Sequence, residues 1–353
     1  MVKTRHVSSI PMAILAAILF GISAPLSKAL LGSIEPTMLA ALLYFGCGLG
    51  VLVYKLTKTL FIKEKKESGL SKKDLPWLAG VIFTGGVAAP IVLMFSLKAT
   101  PAATASLLLN FEAVSTALIA ALLFKESLGR RVWASVALMT AAAVILTWNS
   151  TGEWGVSIGT AGIIGACLLW GMDNNLTRMI SLKDPLTITI VKGFGAGAVS
   201  LIISLWTSTA FPGVELIILA LLLGAFSYGI SIVLFILSMR QLGAARTSAF
   251  FGSAPFIGAI ISIVVFQESP ALQFYISLPI MMIGAILIIK EKHQHIHIHE
   301  NIQHDHKHRH DDLHHNHVHE NGFTGEHSHA HMHERLEHDH PHMPDTHHRH
   351  NHI

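Results

Sequence analysis

One apolar stretch occurs twice in this chain, and the repetition limits what the chain can build. Thr104 to Ser127, TASLLLNFEAVSTALIAALLFKES, is long and apolar enough to cross a bilayer, with Glu112 near its middle as the exception. Arg246 to Ser269, RTSAFFGSAPFIGAIISIVVFQES, repeats it 142 positions later without a gap. Six positions match outright: Ser106/Ser248, Ala117/Ala259, Ile119/Ile261, Phe124/Phe266, Glu126/Glu268 and Ser127/Ser269. Each copy is read as the centre of one half of a duplicated membrane body.

Composition agrees. Hydrophobic residues make up 51% of the chain and charged residues 13%, against about a quarter in soluble domains. Of 24 histidines, all but His6 lie beyond Lys292, so the net charge of +3 averages an apolar body and a titratable tail. Cys47 and Cys167 sit in apolar runs without neighbours at metal-ligand spacing and read as small buried side chains. The first apolar run lacks a small-residue cleavage site and leads directly into further spans. No Gly-Lys nucleotide loop, nucleophile elbow or HExxH pattern occurs, so neither catalysis nor ATP-driven pumping by this chain is expected.

Ten windows can span: 11–31, 36–56, 76–97, 102–124, 131–148, 158–178, 185–207, 215–238, 246–266 and 272–289. Their length rules out barrel strands. Pro25, Pro90 and Pro255 fall inside spans and predict kinks whose freed carbonyls face a neighbour or a cavity. Gly46, Gly48 and Gly50, like Gly193, Gly195 and Gly197, predict close helix packing and offer faces for a homodimer. The basic loops, led by the six lysines of 57–75, fall on one side of the ten windows. Both termini are therefore expected in the cytoplasm, with the body in the cell membrane.

Further matches link the halves: Phe20-Gly21 with Trp170-Gly171, Lys28 with Arg178, and Glu35-Pro36 with Asp184-Pro185. Five spans per half is an odd number, so the second half enters the membrane in the opposite sense. The expected fold is all-α integral membrane, with ten transmembrane helices as two inverted five-helix repeats, 8–148 and 149–290, followed by a disordered tail, 291–353. Inverted repeats place a substrate site near the midplane. With its Trp-Gly early in the second half and Phe-x-Glu-Ser ending the fourth span of each half, this pattern resembles the EamA-type drug/metabolite transporter superfamily. The resemblance implies a secondary carrier that exports or imports a small polar solute such as an amino acid, and export is the direction expected here. It requires no cofactor and no nucleic acid, and it does not name the solute.

Ionisable groups at bilayer depth cost roughly 2.5–3.5 kcal/mol and mark cavities or partners. Glu112 lies ~15 Å into the fourth span and is a candidate for exchanging a proton for cargo. Asn110, about 200° away on an unbroken helix, is not expected to share its face. Ser106, six residues before Glu112, is set aside as well. Asp173 and Lys192 lie ~8–10 Å inside the cytoplasmic edge and can meet as an ion pair, as a structural bridge or a gate. Trp170, Asp173, Asn174 and Asn175 make one wall polar, and Tyr228 can add its tip. Lys28 and Arg178 are expected to snorkel. Glu126 and Glu268 are expected to anchor their helix ends.

From His293 the text changes to alternating histidine. His295, His297, His299, His304, His306, His308, His310, His327, His329, His331 and His333, with nearby carboxylates, suit Zn, Ni, Co or Cu. Few apolar residues accompany them, so the segment is expected to be disordered without a ligand. Three functions compete: a metabolite carrier with a metal-binding tail, a divalent-metal or chelate transporter, and a membrane-anchored metal-sensing module. The body holds no histidine beyond His6, which disfavours a bare metal ion as cargo.

Overall fold

The computed structural model describes residues 6–61, 68–125, 128–147, 157–207, 210–289, 296–299, 302–308, 327–333 and 336–339. The first half runs α1 (His6–Gly21), α2 (Ser23–Leu30), α3 (Pro36–Phe61), α4 (Leu75–Val81), α5 (Ala89–Ala99), α6 (Ala102–Leu108), α7 (Phe111–Leu122) and α8 (Arg130–Thr147). The second runs α9 (Ile158–Ile180), α10 (Pro185–Trp206), α11 (Val214–Leu223), α12 (Ser231–Phe251), α13 (Ala254–Phe266) and α14 (Leu272–Ile289). Two π-helical segments, Ile82–Ala88 and Gly224–Ile230, join α4 to α5 and α11 to α12.

Among the described residues, seven helical rods are long and apolar enough to span: Ser9–Leu30, Pro36–Thr59, Lys72–Ala99, Ala102–Leu122, Arg130–Thr147, Pro185–Trp206 and Val214–Met239. The other three expected spans fall short for separate reasons. With 23 residues, α9 has the length but carries Asp173, Asn174, Asn175 and Arg178 on a buried surface. The α13 helix has 13 residues, and the apolar part of α14 covers Leu272–Leu287. The break expected between spans eight and nine is also displaced, since α12 runs on to Phe251.

The sequence offset of 142 reappears in the backbone. It relates the two π segments, both ends of α8 and α14, and the two non-glycine residues with left-handed backbone, Lys125 (φ 53°) and Gln267 (φ 50°). Left-handed residues end helices, and here they close the fourth span of each half. Contacts exchange in the same way: α1 packs on α12 as α9 packs on α5, and α3 meets α10 as α8 meets α14. Across the last pair, Ser135 Oγ donates to the Gly284 carbonyl (2.7 Å) and Ser277 Oγ to the Ala142 carbonyl (2.9 Å). The order of those partners makes α8 and α14 antiparallel.

The three prolines picked out in the sequence mark irregularities, whereas Pro279 lies inside α14 without interrupting it. Pro25 follows the α1–α2 break at Ile22, and Pro255 follows the α12–α13 break at Gly252-Ser253. Pro90 lacks an N–H, and Ala89 N–H bonds back to Thr84 O, so the Gly85 carbonyl is left for side chains.

Glycines close the centre. A Cβ on Gly193 would stand 2.5 Å from Gly48 N, and one on Gly197 2.9 Å from the Phe45 ring. The glycine faces of α3 and α10 are thus spent within the chain, and they offer no surface for the expected homodimer.

At one end Lys28 Nζ donates to the carbonyls of Leu97, Lys98 and Thr100, capping α5 instead of snorkelling. Glu268 accepts from Ala102 N–H (2.8 Å) and Ala103 N–H (2.9 Å), so it caps α6 of the other half. Glu126 lies outside the described residues. Arg178 is buried, with its guanidinium 5.6 Å from the Phe124 ring centre. At the other end Lys55 pairs with Asp184 (2.6 Å) and Lys183 with Asp74 (3.9 Å).

The tail, expected to lack regular structure without a ligand, contains two antiparallel strand pairs. β1 (Ile296–His299) pairs with β4 (Leu336–Asp339), and β2 (Ile302–His308) with β3 (His327–His333). Alternating histidine has the period of a strand, which is the local reason for the extended backbone. The register sets His304, His306 and His308 opposite His331, His329 and His327. His295 and His310 lie outside the described residues.

Candidate functional site

The polar residues singled out in the sequence converge. Glu112, Trp170, Asp173, Asn174, Lys192 and Tyr228 all line one open cavity of about 490 Å³. Glu112 comes from the first turn of α7, three residues from α9, Lys192 from α10 and Tyr228 from the second π segment.

Lys192 Nζ lies 2.6 Å from Asp173 Oδ2, with side chains 5% and 7% exposed, so the pair is shielded from water. Thr177 Oγ1 donates weakly to the other carboxylate oxygen at 3.4 Å. A Cβ on Gly85 would overlap Asp173, so only glycine lets this carboxylate sit against the π segment. Such a pair is strongly destabilised when one partner is lost, because the survivor is a lone buried charge.

Glu112 Oε1 accepts from Asn174 Nδ2 at 2.9 Å, and the same amide reaches Thr116 Oγ1 at 3.1 Å. Asn175 Nδ2 donates to the Thr116 and Gly171 carbonyls, fastening α9 to α7. Among the described residues Glu112 makes no ion pair, which separates it from Asp173.

Aromatic side chains complete the lining. Tyr44 OH (2.6 Å) and Trp170 Nε1 (3.2 Å) both donate to the Gly85 carbonyl released ahead of Pro90. Phe20 stands edge-on to Trp170 and Tyr228, each 5.7 Å away between centroids. The cavity therefore presents a carboxylate, an amide, an ion pair and aromatic faces.

Sequence reasoning missed Thr116, Thr177 and Tyr44. Thr116 and Thr177 stand four residues after Glu112 and Asp173, a helical spacing that was legible, whereas Tyr44 had no signal. It also separated Asn110 from Glu112 and discounted Ser106. The helix is interrupted at Leu109-Asn110, where Asn110 N–H and Glu112 N–H bond three residues back, and all three residues border a second cavity. The angle argument assumed an unbroken helix.

Among the described residues no three His, Cys, Asp or Glu side chains converge as metal ligands. The side chains of the predicted tail ligands lie outside what the structure describes.

Comparison with known proteins follows the same outline. An uncharacterized transporter of Methanothermobacter thermautotrophicus is 28% identical over 291 residues, 78% of this chain and 84% of that one. An uncharacterized transporter of Clostridium kluyveri is 24% identical over 272 residues, 72% of this chain and 84% of the relative. A solved crystal structure, 18% identical, superimposes with a TM-score of 0.62 over 79% of this chain and 95% of its own, a likeness of fold. The EamA-like transporter family model matches twice, over residues 7–148 and 157–290, coinciding with the two halves of the duplicated body. The chain belongs to the EamA-like transporter family and is a multi-pass membrane transporter.

Proposed function

We propose that this protein is a secondary active carrier, an exporter, of a small polar metabolite such as an amino acid. In this reading the body crosses the cell membrane ten times as two inverted five-helix repeats with both termini cytoplasmic. The antiparallel run of α8 against α14 and the reciprocal serine bonds between them support the inversion. The observation that carries the function is the shared cavity, in which Glu112 and the Asp173–Lys192 pair face one space between the halves.

Glu112 is the group at which the coupling ion, a proton in this reading, is exchanged. Asp173 and Lys192 act as a gate or a solute contact whose charges separate only when a zwitterionic solute replaces the partner. The cavity lining has no histidine and no cysteine, which favours an organic solute over a transition-metal ion. The tail binds Zn, Ni, Co or Cu as a separate module, and the cross-strand register of its histidines supports that role.

Metabolite and metal levels in cells with and without the gene nominate the solute. Flux in proteoliposomes under an imposed pH gradient then tests the mechanism. Glu112→Gln is expected to abolish gradient-driven flux while the protein still folds, and undiminished driven flux would sink the role. Removal of 293–353 is expected to leave transport intact and to remove most metal binding.

A further inference from the structure

Two interrupted helices meet on the second cavity, an open one of about 430 Å³. The α6–α7 break contributes Ser106, Asn110 and Glu112, and the α12–α13 break contributes Gly252 and Ala254. Among the described residues, two buried oxygens in this lining have no hydrogen-bond partner, Ser106 Oγ and Asn110 Oδ1, and each residue is only 1% exposed. The Asn110 amide is oriented by its nitrogen, which donates to the Leu107 carbonyl at 3.0 Å. Glu112 lines both cavities, its Oε1 accepts from Asn174, and among the described residues it makes no ion pair.

A carboxyl at this depth that makes no ion pair is neutralised by a proton or by a bound cation. A proton on Glu112 needs a single acceptor. Two unpartnered oxygens with open space beside them suit a coordinated ion better. Hydroxyl, amide carbonyl and carboxylate are hard oxygen donors, and interrupted membrane helices are where such donors hold small cations. The single formal negative charge favours a monovalent ion.

We propose that this cavity is a Na⁺ site formed by Ser106 Oγ, Asn110 Oδ1 and the Glu112 carboxylate. Through Glu112 its occupancy sets the charge facing the solute cavity. Only that last step rests on the transport reading; the ion site does not.

The test uses the purified full-length protein in detergent, with thermal unfolding followed in NaCl, KCl and choline chloride at equal ionic strength. A ligand that binds only the folded state raises Tm with its concentration. A saturable rise in Na⁺ alone is expected. Ser106→Ala, which removes one oxygen, should raise the half-saturating Na⁺ concentration about tenfold. Glu112→Gln should abolish the response. Equal melting in the three salts, or a Na⁺ response untouched by Ser106→Ala, overturns the site whether or not the Glu112 variant folds. A Na⁺ response without solute flux in proteoliposomes would sink the transport reading and keep the site. Flux driven by a pH gradient with no Na⁺ response would do the reverse.

Discussion

Two helix crossings in this protein share a frame and differ in chemistry. Both α9 on α7 and α1 on α13 join the first helix of one half to the fourth span of the other. In each, a glycine sets the approach. A Cβ on Gly171 would lie 2.7 Å from Ser115 Cβ, and one on Gly21 2.6 Å from the Ala254 carbonyl and 3.1 Å from Ile257 Cβ. Ser115 and Ile257 are themselves 142 positions apart. At the first crossing Asn174 and Asn175 reach Glu112 and Thr116. At the second the corresponding residues are Ala24, Pro25, Ala254 and Gly258. The crossing occurs twice, and on one copy polar side chains line a cavity.

The comparison breaks most decisively at the ion pair that only the polar side possesses. Lys192→Met strands Asp173 and should cost about 3–5 kcal/mol. Adding Asp173→Asn should recover most of that stability, as read from thermal unfolding of purified protein. If the double variant melts no higher than the single, the two charges are not one unit.

Moving the acid tests how far the frames are equivalent. Ala254→Glu puts a carboxylate where the apolar crossing has no amide to receive it, and should cost roughly 2.5–3.5 kcal/mol. Glu112→Ala should be close to neutral for stability. Equal unfolding temperatures for the two variants would mean that the amide partner does not matter.

Gly21→Ala and Gly171→Ala probe what the crossings share. Each should lose about 1–3 kcal/mol from overpacking, and by similar amounts. A harmless change at either position would show that the close approach is not needed there.

The smallest effect lies at the rim, away from both crossings. Burial raises the energy of a charged Asp184, but the Lys55 ammonium, the Thr187 hydroxyl and the Leu186 N–H outweigh it and hold the carboxyl below its ordinary value. A carboxyl lowered on folding stabilises fully above its unfolded value near 3.9, and that stability fades as pH falls through the folded value. Lys55→Met should cost about 1 kcal/mol or less near neutrality and flatten this acid limb of a pH–melting curve, since the pair is partly solvated. An unchanged acid limb would remove Lys55 from the account.

Much of the frame was legible because lipid reads composition locally. Run length gave seven of the ten expected spans as long apolar rods among the described residues, and Pro25, Pro90 and Pro255 gave the irregular turns. Glu112, Asp173, Asn174 and Lys192 announced themselves because polar groups are costly at that depth. Tyr44 did not, since a tyrosine in an apolar helix is ordinary until its hydroxyl has somewhere to go. Asn110 and Ser106 were misplaced because a 100° step per residue fails across an interrupted turn. The tail's alternation was read as composition, not as strand period.

The sequence by itself determined the duplication, the apolar runs and the irregularities at Pro25, Pro90 and Pro255, since these depend on neighbours along the chain. Only the tertiary structure decided which polar atoms face one another. That depends on how each helix is rotated and where it crosses its partner, so the Gly85 carbonyl meets Tyr44 and Trp170, Lys28 caps α5, and Glu112 stands between two cavities. Those rotations are fixed by glycine contacts between distant segments, which no local pattern encodes.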